Sequence, residues 1–323
     1  MHVPRYFTRA VTLVAALLVS TALAACGGAE ASGGGEQKTI AFSHAASEAP
    51  IAVAVTAAAK ARAEELGYRF LSDDPRGDTA VQVKDIENWI TQGVDAIVVF
   101  PFDPSTVAGL QKRAQDAGIK WITYSAQMPD ADGAVLFSHE ASGEVIAESV
   151  TQWISTQGGR PVKALLLTAS ALTSVAPRWE LPGEAIEAAP NGSVVAEQDA
   201  LDEATGLRVT EDVLQAHPDL RVVISMNDDS ALGALKAFQN AGIPAAESYI
   251  AGQDGNVRAL EELQTDGHYK ATAALRVQTL GQDIANIADR VLNGESDVVI
   301  EQTPVLASFE DQALVAELLD EWN

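Results

Sequence analysis

The sequence predicts an α/β protein with two doubly wound, Rossmann-like lobes that contain parallel sheets. Its strand-sized segments are continuous runs of Val, Ile and Leu, which is typical of parallel strands buried on both faces. Amphipathic segments of helical length alternate with these runs. From Lys38 to Asn323 the chain is long for one domain and sufficient for two.

The first alternating series begins with the segment "TIAFSH", which predicts a buried strand. The next helical pattern ends at Gly67, because glycine is favoured just beyond a helix C-terminus. The predicted strands of this series are residues 39–44, 68–72, 95–100 and 120–125, and the predicted helices are 51–67, 79–93 and 103–118.

A second series repeats the alternation and again has the length of an ordinary domain. Its predicted helices are residues 142–157, 183–189, 203–216 and 230–242, and its predicted strands are 162–168, 193–198, 221–226 and 248–254.

The last part of the chain departs from this alternation. A helix over 277–293 is followed by "SDVVIEQTPVLAS", which predicts two short extended pieces, and then by a final helix over 309–322. We expect the two late strands to return to the two sheets, so that several crossings form a multi-strand hinge. The predicted N-terminal lobe is 38–142 plus 276–305, and the predicted C-terminal lobe is 143–275 plus 306–323.

The N-terminus predicts export and lipidation. Arg5 and Arg9 precede a short apolar run, which is typical of a secretory signal peptide over residues 1–25. The motif "LAAC", ending at Cys26, resembles a bacterial lipobox, in which the cysteine becomes the lipidated first residue. The Gly- and Ser-rich residues 26–37 then form a flexible tether. The alternative is an ordinary cleaved signal with a chance cysteine. We expect an extracytoplasmic protein, lipid-anchored to the outer face of the cell membrane or periplasmic.

The charge excludes several kinds of partner. Removal of residues 1–25 takes away two arginines and no acidic residue, which leaves 19 basic and 45 acidic side chains and a net charge of −26. A body this acidic repels nucleic acid and anionic lipid, and it does not attract phosphorylated ligands over long range. We therefore expect contact with a membrane only through the lipid anchor.

Polar residues follow a predicted strand directly in the segment "VVISMNDDSALGALKAFQNAG". Asn227, Asp228 and Asp229 stand where this buried strand gives way to a helix. They either cap the helix or contact a ligand, since open α/β sheets bind ligands beyond the carboxyl ends of their strands.

Several longer segments resemble the type I periplasmic solute-binding proteins, in the branch that contains the ribose-binding proteins. The segments are "KARAEELGYRF", "IENWITQGVDAIVVFPFDPSTV" and "AQDAGIKWIT" in the first series, and "AHPDLRVVISMNDDSALGALKAFQNAG" and "IAGQDGNVRALEEL" in the second. The resemblance implies a monomeric, cofactor-free subunit with a ligand cleft between its two lobes, which close over a small neutral sugar or polyol. It also implies delivery of that ligand to the permease subunits of an ABC importer.

Three other kinds of protein are alternatives to a transport receptor. Sugar-responsive repressors share the module, but the export signal argues against them. A receptor that signals to a membrane sensor would use the same closed conformation, so the binding site does not distinguish it from a receptor that serves transport. An extracytoplasmic carbohydrate enzyme is the least favoured, because the five histidines lack metal-ligand spacing and no phosphate loop or nucleophile elbow is present.

In the second lobe the resemblance points to particular ligand contacts. Asn227 and Asp254 match family ligand positions, while Asp228 is expected to cap the helix. Arg178 is the candidate for the family's sugar-binding arginine, although its spacing to the next glycine differs from the ribose pattern. Trp179 is the candidate for stacking on the sugar, with ordinary packing as the alternative.

The first lobe departs from the ribose pattern. Aliphatic residues in "EAPIA" replace two aromatic positions, "TYSAQ" replaces an Asp-Arg pair, and Leu275 stands at a late glutamine position. The sequence therefore does not identify the sugar. Some polar residues remain near these positions, and the alternative for each is an ordinary surface position. They are His44, Glu48, Ser125, Gln127 and Arg276. His139 is expected to lie near a crossing, with a structural role as plausible as any other.

Overall fold

The computed structural model describes residues 37–44, 47, 49–101 and 103–322. The signal peptide, Cys26 and most of the predicted tether lie outside the described residues, as does Glu48. Within the described ranges, no helix is both long and apolar enough to cross a membrane. The same ranges contain no group of three or more His, Cys, Asp or Glu side chains that could hold a metal ion.

The described chain alternates between strands and helices. The strands are β1 (Thr39–His44), β2 (Arg69–Ser72), β3 (Ala96–Phe100), β4 (Lys120–Tyr124), β5 (Gly133–Phe137), β6 (Val162–Thr168), β7 (Gly192–Asp199), β8 (Leu220–Ser225), β9 (Tyr249–Asp254), β10 (Tyr269–Ala274), β11 (Val298–Gln302) and β12 (Val305–Ser308). The α-helices are α1 (Pro50–Glu65), α2 (Thr79–Gln92), α3 (Pro104–Asp116), α4 (His139–Ser155), α5 (Pro177–Ala188), α6 (Glu203–Ala216), α7 (Asp228–Asn240), α8 (Val257–Glu262), α9 (Val277–Leu292) and α10 (Gln312–Asp320).

Two six-stranded sheets organise the molecule, one in each lobe. The first has the order β11-β5-β4-β3-β1-β2, and all of its pairs are parallel. The second has the order β12-β10-β9-β8-β6-β7 and is parallel except for the β10–β12 pair. The predicted fold class is therefore confirmed.

Buried apolar clusters cover both faces of each sheet. In the first lobe, α1 and α9 pack on one face and α2 and α3 on the other. In the second lobe, α4 and α5 cover one face, and α6, α7, α8 and α10 cover the other. Burial on both faces explains why the strand sequences are continuously apolar rather than alternating.

The chain crosses between the sheets three times, at β5 to α4, β10 to α9, and β11 to β12. The expectation that the two late strands return to different sheets is confirmed, since β11 joins the first and β12 the second. The predicted lobe boundaries stay predictions, because a change of sheet locates a crossing segment and not the residue at which a lobe ends.

Most predicted elements are present with ends that agree within about three residues, the usual uncertainty of helix and strand termini. The strands β5 and β10 and the short helix α8 were not predicted. The sequence of β10, "YKATAA", has no strand periodicity and is rich in alanine, which is depleted in strands. Its neighbours β9 and β12 supply the hydrogen-bonding partners that make it a strand.

The helix α5 begins at Pro177, well before the predicted start at residue 183. Pro182 lies inside this helix, where the sequence favours a break because proline lacks the N–H that continues the hydrogen-bond ladder. The helix tolerates this proline because a side chain of β9 donates to the carbonyl that the proline leaves without a helical donor.

Candidate functional site

A cavity of about 360 Å³ lies where the carboxyl ends of the two sheets face each other. Its first-lobe wall comes from strand ends and from the start of α1, and the residues are His44, Ala49, Pro50, Ile51, Phe100, Tyr124, Ser125 and Phe137. Its other wall contains His139, Leu172, Val175, Arg178, Leu201, Asp202, Met226, Asn227, Asp229 and Asp254. This is the position at which open α/β sheets bind ligands, and the volume falls within the range of small-molecule sites.

A buried ion pair lies at the centre of the second-lobe wall. Arg178 Nη1 is 2.7 Å from Asp254 Oδ1, and the two side chains are only 5% and 16% exposed. The guanidinium also donates from Nη1 to the Met226 carbonyl at 3.1 Å and from Nε to His139 Nδ1 at 3.0 Å. Such a pair holds its geometry, because separating the charges would leave one of them buried without a partner.

The proline within α5 helps to position Arg178. Because Pro182 has no N–H, the carbonyl of Arg178 lacks its usual helical donor. Gln253 Nε2 donates to that carbonyl at 3.1 Å, and Gln253 Oε1 accepts from Ser142 Oγ at 2.6 Å. The backbone of Arg178 is therefore tied to β9 and α4, and its side chain points to the cavity.

Asp254 ends β9 with a left-handed backbone, at a φ of 97°. This conformation is costly for a residue other than glycine, and such strain is concentrated at functional sites. The next residue, Gly255, has a φ of 71° and approaches Ala274 so closely that an added Cβ would clash with the Ala274 Cα. This backbone turn directs the Asp254 carboxylate toward Arg178.

His139 joins the two walls as a neutral side chain. Its Nδ1 accepts from Arg178, so the ring proton lies on Nε2, which donates to Ser125 Oγ at 3.2 Å. Burial, and then the Arg178 charge, lower the pKa of His139 to about 2. Ser125 itself has a positive φ of 67°. The sequence left the role of His139 open, and the structure brings it to the cavity.

Four rings of the described residues line the first-lobe wall, those of His44, Phe100, Tyr124 and Phe137. The ring centroids of Phe100 and Tyr124 are 5.8 Å apart, and those of His44 and Phe100 are 4.8 Å apart, both edge to face. Burial lowers the pKa of His44 to about 3, so this ring is neutral as well. Phe137 lies 5.7 Å from the Arg178 guanidinium, in a cation–π contact across the cavity.

The hydroxyl of Tyr124 is available to a ligand. The side chain is 2% exposed and lines the cavity, and its hydroxyl makes no hydrogen bond within the described part of the chain. Burial raises the pKa of Tyr124, and the nearby Asp254 carboxylate raises it further, so the hydroxyl keeps its proton.

The prediction that Asp228 caps α7 is wrong, because Asn227 is the N-cap. Asn227 Oδ1 accepts from Ser230 N at 3.0 Å, and its Nδ2 donates to the Leu201 carbonyl at 2.9 Å. Asn227 therefore both caps the helix and lines the cavity.

Asp228 instead turns inward and is 1% exposed. It accepts from Asn256 N at 2.6 Å and from the hydroxyls of Tyr269 and Thr272 at 2.7 Å each. Burial, and then the charge of Asp254, raise the pKa of Asp228 to about 8, although these three donors favour the carboxylate. These hydrogen bonds tie the start of α7 to β10 and to the N-cap of α8.

Three predicted site residues, among those that the structure describes, do not line the cavity. Trp179 is 6% exposed and packs in the core under α4 and α5, on a different side of the helix from Arg178. Gln127 lines a separate surface hollow beside β5 and β11. Arg276 pairs with Glu317 at 2.7 Å, and Glu48 lies outside the described residues. The cavity does bring together His44, Ser125, Arg178, Asn227 and Asp254.

Sequence reasoning missed the aromatic residues of the cavity. Phe100 and Tyr124 lie at the ends of β3 and β4, so the rule that ligands bind beyond strand ends would have found both. Phe137 ends β5, a strand that was not predicted, and no sequence signal identified it.

The chain was compared with known proteins. Residues 40–296 match the family described as "Periplasmic binding protein domain". The ribose import binding protein RbsB of Salmonella typhimurium is 32% identical over 248 residues, which are 76% of this chain and 82% of that protein.

Solved structures resemble the whole two-lobed body. An ABC transporter solute-binding protein from Bacillus halodurans with bound myo-inositol superposes with a TM-score of 0.79 at 24% identity, covering 88% of this chain and 98% of that one. A solute-binding protein from Mycobacterium smegmatis with bound glycerol gives 0.77 at 27% identity, covering 86% and 96%. On the extent of these matches, the chain belongs to the periplasmic binding protein family.

Proposed function

We propose that this protein captures a small neutral sugar or sugar alcohol by closing its two lobes, and delivers it to the permease of an ABC importer. The observation that carries the proposal is the cavity, in which an aromatic wall faces the buried Arg178–Asp254 pair. The relatives named above, one for ribose import and others with bound myo-inositol or glycerol, support the same class of ligand.

The second-lobe wall suits ligand hydroxyl groups. Asp254 uses Oδ1 for Arg178, which leaves Oδ2 to accept from a ligand. Arg178 uses Nε and Nη1 within the protein, which leaves Nη2 to donate. A hydroxyl is both donor and acceptor, so an adjacent pair of ligand hydroxyls can satisfy both groups with charge-assisted hydrogen bonds.

The first-lobe wall suits the apolar side of a sugar. The rings of Phe100, Tyr124 and Phe137 offer surface to C–H groups, and the hydroxyl of Tyr124 offers one hydrogen bond. A ligand with a polar edge and an apolar face would therefore be bound in one orientation.

The charges favour a neutral ligand. Arg178 is already balanced by Asp254, and both cavity histidines have a pKa far below neutrality. Asp202 and Asp229 add negative charge to the second-lobe wall, although burial, with the Asp254 charge second, raises the pKa of Asp229 to about 6. A carboxylate or phosphate ligand would meet net negative charge here.

The predicted export signal and lipidated Cys26 complete the proposal. They support a receptor held at the outer face of the membrane, where the two lobe surfaces would meet the permease once the ligand is bound. That the receptor is a monomer is an implication of the family resemblance. Closure is favoured only to the extent that both lobes contact the ligand.

The proposal is tested by calorimetric titration and intrinsic-fluorescence melting of the purified full-length chain in mild detergent. The ligands are pentoses, hexoses, their polyols, inositols and a set of amino acids. A ligand at about 100 times its dissociation constant adds roughly 2.7 kcal/mol of stability, which moves a melting temperature detectably. We expect at least one sugar or polyol to bind; binding of amino acids alone would contradict the proposed ligand class.

A further inference from the structure

Three segments meet beside the cavity: the turn Asp254–Gly255, the crossing at Leu275 and Arg276, and the end of the chain at Trp322. Leu275 N donates to the Asp254 carbonyl at 3.1 Å. Trp322 Nε1 donates to the Gly255 carbonyl at 3.0 Å. Both carbonyls of the turn that carries the Asp254 carboxylate are therefore held by segments of the hinge.

An ionic contact at the same place joins the two lobes. Arg276 precedes α9, a first-lobe helix that packs on α1, whereas α10 packs on α8 and β12 of the second lobe. Arg276 Nη1 lies 2.7 Å from Glu317 Oε1 and 3.5 Å from Glu321 Oε1. Glu321 also accepts from Gln278 N, in the first turn of α9, at 2.9 Å.

Trp322 adds an apolar contact across the hinge. Its side chain packs against the core cluster shared by α1 and α9, and also against the cluster shared by α7, α8 and α10. The side chain of Trp322 thus contacts both lobes and the turn Asp254–Gly255. The match to the periplasmic binding protein family ends at residue 296, before α10 begins.

We propose that the end of α10 is an interlobe clamp that favours the arrangement of the lobes in which the cavity is assembled. Trp322 and Arg276 are positioning residues that do not line the cavity. Trp322 acts through the Gly255 carbonyl, and Arg276 holds the end of α10 through Glu317 and Glu321. This inference rests on the proposed function for its effect on ligand affinity. The clamp gives Arg276 a role that its sequence position near the site did not reveal.

Two variants test the clamp. Trp322→Phe keeps an aromatic ring but removes the donor to Gly255, and Glu317→Gln combined with Glu321→Gln removes the charges that hold Arg276. The matched control is Glu295→Gln, which breaks the Arg290–Glu295 pair at 2.7 Å, a pair within the first lobe whose side chains are 45% and 51% exposed.

Calorimetric titration of the full chain with D-ribose, myo-inositol and glycerol gives the first readout. For each probe that the parent binds, we expect both clamp variants to raise the dissociation constant roughly tenfold, which corresponds to the loss of one or two hydrogen bonds. Glu295→Gln is expected to leave it unchanged. Added salt should weaken binding by the parent and the control, but have a smaller effect on the Glu317/Glu321 variant, since a partly exposed ion pair is screened.

Small-angle X-ray scattering of the ligand-free proteins gives a second readout that does not depend on any sugar. The clamp variants should have a larger radius of gyration than the parent and the control, because more molecules are open. If no sugar or polyol of the full ligand panel binds but the scattering differs, the proposed ligand class fails and the clamp stands. If the clamp variants match the parent in scattering, and in affinity within twofold, the clamp is refuted, whatever sugar the protein binds.

Discussion

The two walls of the cavity differ in chemistry and in how they are held. The polar part of the second-lobe wall consists of charged and amide side chains whose hydrogen bonds extend into the protein, from Arg178 to Asp254, His139 and Gln253. The first-lobe wall presents aromatic rings at strand ends, and Tyr124 lines it without a hydrogen bond in the described structure. The polar groups of a ligand would meet side chains that are held by a hydrogen-bond network, whereas its apolar surface would need only rings of complementary shape.

This difference has an energetic basis. A buried charge is costly unless its partners are fixed, so the charged wall must be assembled before a ligand arrives. Aromatic rings can remain exposed in the ligand-free cavity at a smaller cost in free energy, because that cost is proportional only to the apolar area in contact with water. We therefore expect changes in the second-lobe wall to affect folding as well as binding, and changes in the first-lobe wall to affect mainly binding.

The largest effect is expected for Asp254→Ala, which leaves the Arg178 charge buried without its partner. We expect the free energy of unfolding to fall by about 3 kcal/mol and ligand affinity to fall at least about a hundredfold. Urea denaturation and calorimetric titration measure the two losses.

The double variant Arg178→Met with Asp254→Asn serves as the control, because asparagine tolerates the left-handed backbone at this position. It removes both charges, so stability should largely return while binding stays lost. If Asp254→Ala were as stable as the parent, the contrast between the walls would not hold.

The second effect concerns pH and the histidine between the walls. His139 has a pKa of about 2 in the folded protein, against 6.5 for the ordinary side chain, so below pH 6.5 the unfolded chain binds a proton that the folded one does not. Stability contributed by the neutral ring is present above pH 6.5 and is lost as the pH falls.

The variant His139→Gln isolates this contribution from other titrating groups. Between pH 7 and pH 5 the parent should lose about 2 kcal/mol relative to the variant, from roughly 1.4 kcal/mol per pH unit below 6.5. Denaturation curves at several pH values measure the difference. Parallel pH profiles for the two proteins would show that His139 is protonated in the folded state.

The third effect concerns the aromatic wall. Phe137→Leu keeps an apolar side chain but removes the ring that faces Arg178, so ligand affinity should fall by about tenfold, on the scale of one aromatic contact. The free energy of unfolding should change by less than about 1.5 kcal/mol, since the substitution largely conserves volume. A loss of stability as large as that of Asp254→Ala would remove the distinction between the two walls.

The smallest effect is expected for Tyr124→Phe. Ligand affinity should fall about fivefold through the loss of one neutral hydrogen bond, while the ligand-free protein should be at least as stable as the parent. Titration with a sugar and with its deoxy analogues would identify the hydroxyl concerned, because the analogue lacking that group should bind parent and variant equally. Equal affinity for every sugar would mean that the Tyr124 hydroxyl does not contact the ligand.

Some of this arrangement follows from local sequence. Apolar runs between amphipathic helices are sufficient to predict two parallel sheets, because each strand buries both faces and each helix buries one. Asn227 and Asp254 could be predicted to lie at the cavity because both follow apolar strands directly, and every parallel strand ends at the same edge of its sheet.

Tertiary structure alone decided the rest. Arg178 and Trp179 are neighbours, and the rotation of α5, fixed by its packing and by the hydrogen bond from Gln253, sends one to the cavity and the other to the core. The strand β10 exists because β9 and β12 flank it, and Arg276 turns to α10 because the end of the chain returns to the hinge. Local sequence determines which faces of an element are apolar, but contacts between distant segments determine what each remaining face meets.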